Sequence, residues 1–175
     1  MGSTKPLSAN VELMHPTVII QLLFLLLLAN GTPMVAGKLM GARLSTPLDG
    51  GLEFADGRPL LGRSKTIRGI ILAILVTAVG APLVGLEWQI GAMIGGLAMA
   101  GDICSSFLKR RLGFPPSAPA VGLDQIPESL FPLLGCVVPL SLTMADVAVG
   151  VAIFFVGELL LSRVLYAFDL RDRPY

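Results

Sequence analysis

Charge is scarce in this chain of 175 residues: Asp, Glu, Lys and Arg make up 14% of it against 54% hydrophobic residues, and the mean hydropathy is +0.78. A soluble domain carries closer to ~25% charged residues, so the composition excludes an ordinary water-soluble fold and also intrinsic disorder. Cysteine is limited to Cys104 and Cys136, both inside apolar runs, which excludes a secreted disulfide framework; they read as small packing residues. Histidine occurs once, at His15, far in sequence from the other polar groups. It reads as an interfacial residue without chemistry, which argues against a His-based active site. Neither sign of charge is in excess, with 13 Lys and Arg against 12 Asp and Glu, so no overall attraction to nucleic acid is expected. Any electrostatic function depends on where those few charges stand.

Long apolar runs are abundant. Five stretches approach the ~20 residues that a bilayer-crossing helix needs: 17–37, 69–86, 88–108, a shorter one at 130–145, and 147–168. They are continuous rather than alternating, and a lipid-exposed backbone must satisfy its own hydrogen bonds, so they read as helices and not barrel strands. The expected fold is therefore a single all-α integral membrane domain over 1–175 with five transmembrane helices. Gly91, Gly95, Gly96 and Gly101 are expected to let the third helix approach its neighbours closely.

Lys and Arg placement sets the orientation. The N-terminal tail carries Lys5 alone. The first loop carries Lys38, Arg43, Arg58, Arg63, Lys65 and Arg68, the loop after the third helix carries Lys109, Arg110 and Arg111, and the last helix and tail carry Arg163, Arg171 and Arg173. With five spans, 12 of the 13 cations share one side. The N-terminus is then outside, and the two long loops, 38–68 and 109–129, lie in the cytoplasm with the C-terminus. The first apolar run is no secretory signal, since its cations follow it. Pro6 also excludes N-myristoylation.

Function is expected on the cytoplasmic face, because the outer turns are nearly absent. The first loop alternates Gly41, Gly50, Gly51, Gly57 and Gly62 with cations and three acids, a composition suited to wrapping N–H groups and positive charge around phosphates, or simply a solvated polar loop. Gly57 to Gly62 has P-loop spacing but is followed by Arg63-Ser64 and lacks a βαβ setting, so that motif is dismissed. Lys65 and Thr66 remain able to serve phosphate as point charge and hydroxyl donor.

The sharper signal runs from Gly101 to Ser129. Asp102 lies roughly two turns inside the membrane edge, where a carboxylate needs a cation or metal beside it. Asp102, Ser105, Ser106 and Lys109 fall at helical offsets that share one face. An ion pair of Asp102 with Arg68 or Lys109 that only orients helices is the plainer reading. After the Pro-rich turn, Asp124 and Glu128 are spaced i, i+4 at the start of the fourth helix, so one face offers two carboxylates to a divalent cation, or complements the helix dipole. Hard oxygen ligands beside many cations suit Mg²⁺ that is also held by substrate phosphates. Asn30 and Thr32 rim the end of the first helix, where Pro33 either kinks it or eases packing. Glu158 is a further intramembrane acid of undetermined role.

Three blocks carry a family resemblance: Asn30-Gly31-Thr32-Pro33 with Gly37-Lys38; Asp56-Gly57-Arg58-Pro59-Leu60-Leu61-Gly62 with Ser64-Lys65-Thr66 and Arg68-Gly69; and Gly101-Asp102, Ser105-Ser106-Phe107-Leu108-Lys109-Arg110-Arg111 and Leu123-Asp124-Gln125. In these the chain resembles the CDP-archaeol synthases, archaeal membrane enzymes related to the CdsA-type phosphatidate cytidylyltransferases. It departs from the bacterial pattern at Gln125 and Glu128, where those enzymes carry Arg and a second Asp. The resemblance implies transfer of a cytidylyl group from CTP to an isoprenoid ether-lipid phosphate, 2,3-bis-O-(geranylgeranyl)-sn-glycerol 1-phosphate, with release of pyrophosphate. It implies Mg²⁺ at Asp102, Asp124 and Glu128, and Lys65, Arg68, Lys109 and Arg110 on triphosphate or lipid phosphate. Asp56 and Asn30 are expected near nucleotide or metal, Lys38 and Arg43 near the lipid headgroup, and Thr66, Ser105 and Ser106 along the substrate. The isoprenoid chains would lie against the first three helices, entering sideways from the bilayer. The rival class is a small multi-pass transporter or channel subunit, which predicts an inverted repeat and polar residues through the midplane; neither is visible. The DGxxAR motif of CDP-alcohol phosphotransferases is also missing, since Asp56-Gly57 is followed by Arg58-Pro59-Leu60-Leu61. Oligomeric state is not legible in the sequence.

Overall fold

The computed structural model describes residues 14–115 and 118–167. They form five α-helices, α1 Pro16–Met40, α2 Ile67–Leu83, α3 Trp88–Arg111, α4 Gln125–Gly135 and α5 Met144–Ala167. Lys5, Arg171, Arg173 and the expected helix end at 168 lie outside the described residues. Three helices are long and apolar enough to cross a membrane: Pro16–Met40, Trp88–Arg111 and Met144–Val164. α2 is apolar but has 17 residues.

The fourth helix departs from expectation. It begins at Gln125 and ends at Gly135 instead of spanning 130–145, and 11 residues rise only ~16 Å against a hydrocarbon core of ~30 Å. Pro127 falls in its first turn, where a missing N–H breaks no helical bond, so Glu128 and Ser129 are helical and not part of a loop. Beyond Cys136 the chain turns back, with Ser141 at a φ of 52°. α3 also outlasts its expected end, and Lys109, Arg110 and Arg111 form its last turn, where cations complement the helix dipole. α1 continues through Pro33 to Met40, and the Thr32 hydroxyl donates to the Leu28 carbonyl at 2.6 Å.

α3 is the hub. It packs against α2, α4 and α1, while α5 leans on α4 and α1. The buried core joins Leu22, Leu25 and Leu26 of α1 to Ala73 of α2, Ile94 and Ala98 of α3, and Leu133 of α4. On the outer face of α2, Ile71, Leu75, Val79 and Leu83 are exposed at four-residue spacing, an apolar stripe suited to acyl or isoprenoid chains. Three of the four expected glycines make the close contacts. A Cβ at Gly91 or Gly95 would collide with Thr77 of α2, and one at Gly101 would collide with the Pro127 carbonyl of α4. Gly96 faces open space, so it takes no part in helix approach.

His15 is more than an interfacial residue. Its backbone N–H donates to Asp146 Oδ1 at 2.8 Å and its Nδ1 lies 2.9 Å from Oδ2. Asp146 also closes a reciprocal cap with Thr143, accepting from the Thr143 N–H and hydroxyl while its own N–H donates to that hydroxyl oxygen. The start of α1 is thereby pinned to the start of α5, at the end of the bundle opposite the two long loops.

Gly101→Ala is expected to lower stability in detergent by about 2 kcal/mol through overpacking, whereas Gly96→Ala leaves it unchanged or raises it slightly through helix propensity. Melting curves of the two variants check this, and equal midpoints would show that α3 and α4 do not depend on the contact at Gly101.

Candidate functional site

Two lysine–carboxylate pairs stand on the same face of α3. Lys65 reaches both oxygens of Asp102 at 2.5 Å, and Lys109 meets Asp124 Oδ1 at 2.6 Å. Asp102 and Lys109 are seven residues apart, about 10 Å along the helix axis. The second pair is the more enclosed, with Lys109 and Asp124 side chains 10% and 7% exposed against 19% and 20% for Lys65 and Asp102. Lys109 also donates to the Ala118 carbonyl at 3.1 Å, and Asp124 accepts the Ala120 N–H at 3.0 Å. The Lys109–Asp124 pair is thus held by the loop that follows α3 as well as by its own charges.

The close approach at Gly101 adds a third acid. Glu128, one turn beyond Asp124 on α4, is buried with its carboxyl in hydrogen-bonding reach of Asp102 and in the field of Lys65 and Glu158. Two facing carboxylates under burial repel when both are charged, and a cation relieves them. Among the described residues no three His, Cys, Asp or Glu side chains form a ready metal cage. An Asp102–Glu128 pair nevertheless fits Mg²⁺, which takes one or two carboxylates and completes its shell with water and phosphate oxygens.

Lys65 is delivered by the first loop, which folds as a narrow antiparallel hairpin. Leu48 and Lys65 are joined by a backbone bond of 2.7 Å, Ile67 and Thr46 by one of 3.1 Å, and nearer the tip Leu60 donates to Leu52 and Phe54 to Arg58, both at 2.8 Å. Asp49 clasps it from inside, accepting the N–H groups of Gly51, Leu61 and Gly62 at 2.9–3.0 Å. Burial works to raise this carboxyl, but the N–H groups of Gly62, Gly51 and Leu61 outweigh it and hold the group below its ordinary range. Sequence reasoning passed over Asp49; its place before Gly50-Gly51, a turn signal, was the available clue.

The hairpin tip docks on the end of α3. Arg111 donates to Asp56 at 2.5 Å and to the Pro59 carbonyl at 2.7 Å, and its guanidinium lies 4.6 Å over the Phe54 ring and 5.2 Å from that of Phe107. Arg58 answers with bonds to the carbonyls of Arg110 and Arg111 at 3.3 and 2.8 Å. Asp56, expected near nucleotide or metal, is therefore engaged at this joint and not beside Asp102.

The remaining expected residues divide. Thr66 caps α2 by accepting the Gly69 N–H at 3.2 Å. Arg68 donates through Nη1 to the carbonyls of Gly41 and Arg43, closing the end of α1, and its Nε is buried without a partner. Ser105 and Ser106 are buried on α3, with the Ser105 hydroxyl donating to the Asp102 carbonyl at 2.9 Å. Asn30 is half-buried with Nδ2 unpartnered, whereas Lys38 and Arg43 are exposed. Gln125, noted in the sequence only as a departure from the bacterial pattern, is fully buried and accepts the Gly122 N–H at 2.7 Å. The arrangement suits a ligand with several phosphates: ammonium groups at two heights along α3 and a facing carboxylate pair.

Known proteins share this organisation. The profile of the CarS-like, CDP-archaeol synthase family matches residues 15–175. The CDP-archaeol synthase of Sulfurisphaera tokodaii is 36% identical over 156 residues, covering 85% of this chain and 90% of that protein. That of Hyperthermus butylicus is 39% identical over 121 residues, covering 66% and 69%. A solved structure of an intramembrane enzyme for archaeal membrane lipids biosynthesis is 31% identical, with a TM-score of 0.70 over 81% of this chain and 90% of that one.

Because Asp49 titrates lower in the folded chain than in the unfolded one, its contribution is complete above about pH 4 and is lost as pH falls through the lower folded value. Asp49→Ala is expected to strip the hairpin of about 2 kcal/mol, read as faster amide exchange over residues 48–62. Exchange that matches the unaltered protein at neutral pH would remove Asp49 from this role.

Proposed function

Because the chain belongs to the CarS-like CDP-archaeol synthase family, we infer that it transfers the cytidylyl group of CTP to the phosphate of an unsaturated archaeal ether lipid, 2,3-bis-O-(geranylgeranyl)-sn-glycerol 1-phosphate. CDP-archaeol and pyrophosphate are the products. The observation that carries this reading is the family match across the described fold, and the pairing of Lys65 with Asp102 and Lys109 with Asp124 along one helix supports it chemically.

A phosphate oxygen of the lipid attacks the α-phosphorus of CTP, forming the new P–O bond as the bond to the β-phosphate oxygen breaks. Two anions must meet, so the reaction calls for charge neutralisation and in-line alignment more than for a protein nucleophile. Lys65, nearer the membrane, takes the lipid phosphate and the α-phosphate between its charge and the base of the hairpin. Lys109, a further ~10 Å along α3, takes the departing phosphates. Asp102 and Glu128 would hold Mg²⁺, with Asp124 one turn away as an additional oxygen donor reached directly or through water. That ion, when bound, supplies charge neutralisation on the phosphate oxygens. Displacement of the ammonium groups from their carboxylates by substrate phosphates frees those carboxylates for the cation, so the two lysine pairs keep the empty site neutral. Arg68 and Thr66 hold the start of α2 and with it the position of Lys65.

The positive-inside bias supports a cytoplasmic site, where CTP is available, with both cation-bearing loops on that side. α2 and α4 are short, and their polar ends keep the acids close to the interface while the exposed stripe on α2 meets the isoprenoid chains. The protein acts within the membrane, without a nucleic-acid partner.

With Mg²⁺, labelled CTP and the lipid phosphate in detergent, the purified protein is expected to form CDP-lipid. Asp102→Asn and Glu128→Gln should each reduce turnover by at least about 100-fold, and Asp124→Asn should do so with the fold retained by circular dichroism. Lys65→Ala should lose more in kcat than in KM. Absence of CDP-lipid from any isoprenoid or acyl glycerol phosphate would falsify the assignment, and near-normal turnover in Asp124→Asn would remove that residue from the cation's shell.

A further inference from the structure

Ile20, Phe24 and Leu27 are exposed at offsets of four and three, on one side of a helix long and apolar enough to cross a bilayer. Lys38 stands three turns beyond Leu27 on that same side. From Ile20 to Lys38 the helix rises ~27 Å, close to the ~30 Å of a hydrocarbon core, so the Lys38 ammonium falls at headgroup level when this side faces lipid. The turn that follows stays close to the helix end. Arg43 donates its N–H to the Met40 carbonyl at 3.1 Å and Ser45 to that of Ala42 at 3.3 Å, two tight turns in succession. Leu44 is the anomaly within them. Its φ of 54° is left-handed, a conformation that a leucine adopts only at a cost, and Gly41, at 53°, shows the residue type such a turn favours. Leu44 is nevertheless 73% exposed, and Leu39 81%, so packing within the chain does not offset the strain. Arg68 holds the turn in place by donating to the carbonyls of Gly41 and Arg43. From Lys38 to Leu48 the sequence has two cations and no acid, and Asp49, the next acid, is committed to the N–H groups of Leu61 and Gly62. Among the described residues Arg43 pairs with no carboxylate.

We propose that the turn 41–45 docks on the lipid surface at this end of α1. Leu39 and Leu44 enter the boundary between headgroups and chains, and Lys38 and Arg43 meet anionic phosphate headgroups of the surrounding bilayer. Apolar side chains interleaved with cations are the composition of an interfacial anchor. The strained backbone then has a purpose, since it holds out a leucine that water disfavours and the bilayer boundary accepts. Lys38 and Arg43, expected from sequence at the headgroup of the substrate, are assigned instead to the bulk lipid around the protein. A second copy of the chain is the poorer occupant, because a two-fold contact brings the same cations face to face, whereas a phosphate surface complements them. The brace from Arg68 ties the turn to the start of α2, so the bilayer surface becomes a fixed reference for the base of the hairpin that carries Lys65. This anchor is independent of the reaction catalysed.

The test uses the full chain reconstituted in phosphatidylcholine vesicles, with or without added phosphatidylglycerol. Leu44→Trp, in a Trp88→Phe background that removes the native tryptophan, places a fluorophore on the turn at an exposed position. Its emission is expected to be quenched by phosphatidylcholine brominated high in the chain and to be protected from acrylamide. Quenching by acrylamide and not by the brominated lipid puts the turn in water and overturns the proposal. Protection from both marks a protein contact, such as a second copy, and overturns it equally. The headgroup claim is read without an added fluorophore. Phosphatidylglycerol is expected to raise the melting midpoint of the unaltered protein, and Arg43→Gln to cut that rise by about half, as the loss of one of two surface cations requires. Arg63→Gln, the same change of charge at an exposed position in the hairpin, should leave the rise intact. No response to phosphatidylglycerol, or equal loss in both variants, overturns the headgroup contact. So does an Arg43→Gln variant whose response to phosphatidylglycerol is unchanged while its KM for the lipid phosphate rises, since that outcome returns Arg43 to the substrate.

Discussion

Carboxylates and ammonium groups set near the membrane edge are tolerable only in pairs, because an isolated charge in a low-dielectric setting costs several kcal/mol. α3 answers this constraint by carrying one partner of each pair on a single face: Asp102 for Lys65 and Lys109 for Asp124. The rest of the bundle serves that alignment. α2 and its preceding hairpin bring Lys65, and α4 brings Asp124 and Glu128. The distance between α3 and α4 is set at Gly101, where no side chain fits against the Pro127 carbonyl. A shift in that contact moves Glu128 relative to Asp102.

The first loop has a different physical basis. Its exposure is high and its apolar content low, so it holds its shape through hydrogen bonds to a few carboxylate and guanidinium groups. Asp49 fixes it from within, and Arg111, Asp56 and Arg58 fix its tip to α3. Bonds to charged groups are stronger than neutral ones, and here they replace a hydrophobic core. The same joint forms the cleft lined by Pro59 and Phe114.

The sequence was most legible where hydropathy alone decides. The runs that became α1, α2, α3 and α5 were located to within a few residues, and Asp102, Lys109 and Asp124 stood out as charges in unusual settings. For α4 the apolar run put the span at 130–145, too far along the chain, while the i, i+4 acids Asp124 and Glu128 read correctly as a helix start, which Pro127 permits at Gln125. Gly96 was grouped with its neighbours because a run of glycines does not reveal which ones face another helix. His15 looked isolated because its partner Asp146 is 131 residues away. Arg58 and Arg111 were counted as loop cations because a positive-inside bias explains any cation without assigning it a contact.

By itself the sequence determined the membrane setting, the helical character and the types of group available for phosphate chemistry. Those follow from composition, run length and the cost of unpaired charge, which are properties of local segments. Only the tertiary structure decided the pairing: Lys65 with Asp102, Lys109 with Asp124, Glu128 against Asp102, and Arg111 with Asp56. Each joins residues from different elements, and which cation meets which acid depends on the rotation and separation of packed helices. Those are set in turn by side-chain volumes at the glycine contacts, which no one-dimensional pattern of charge or hydropathy records.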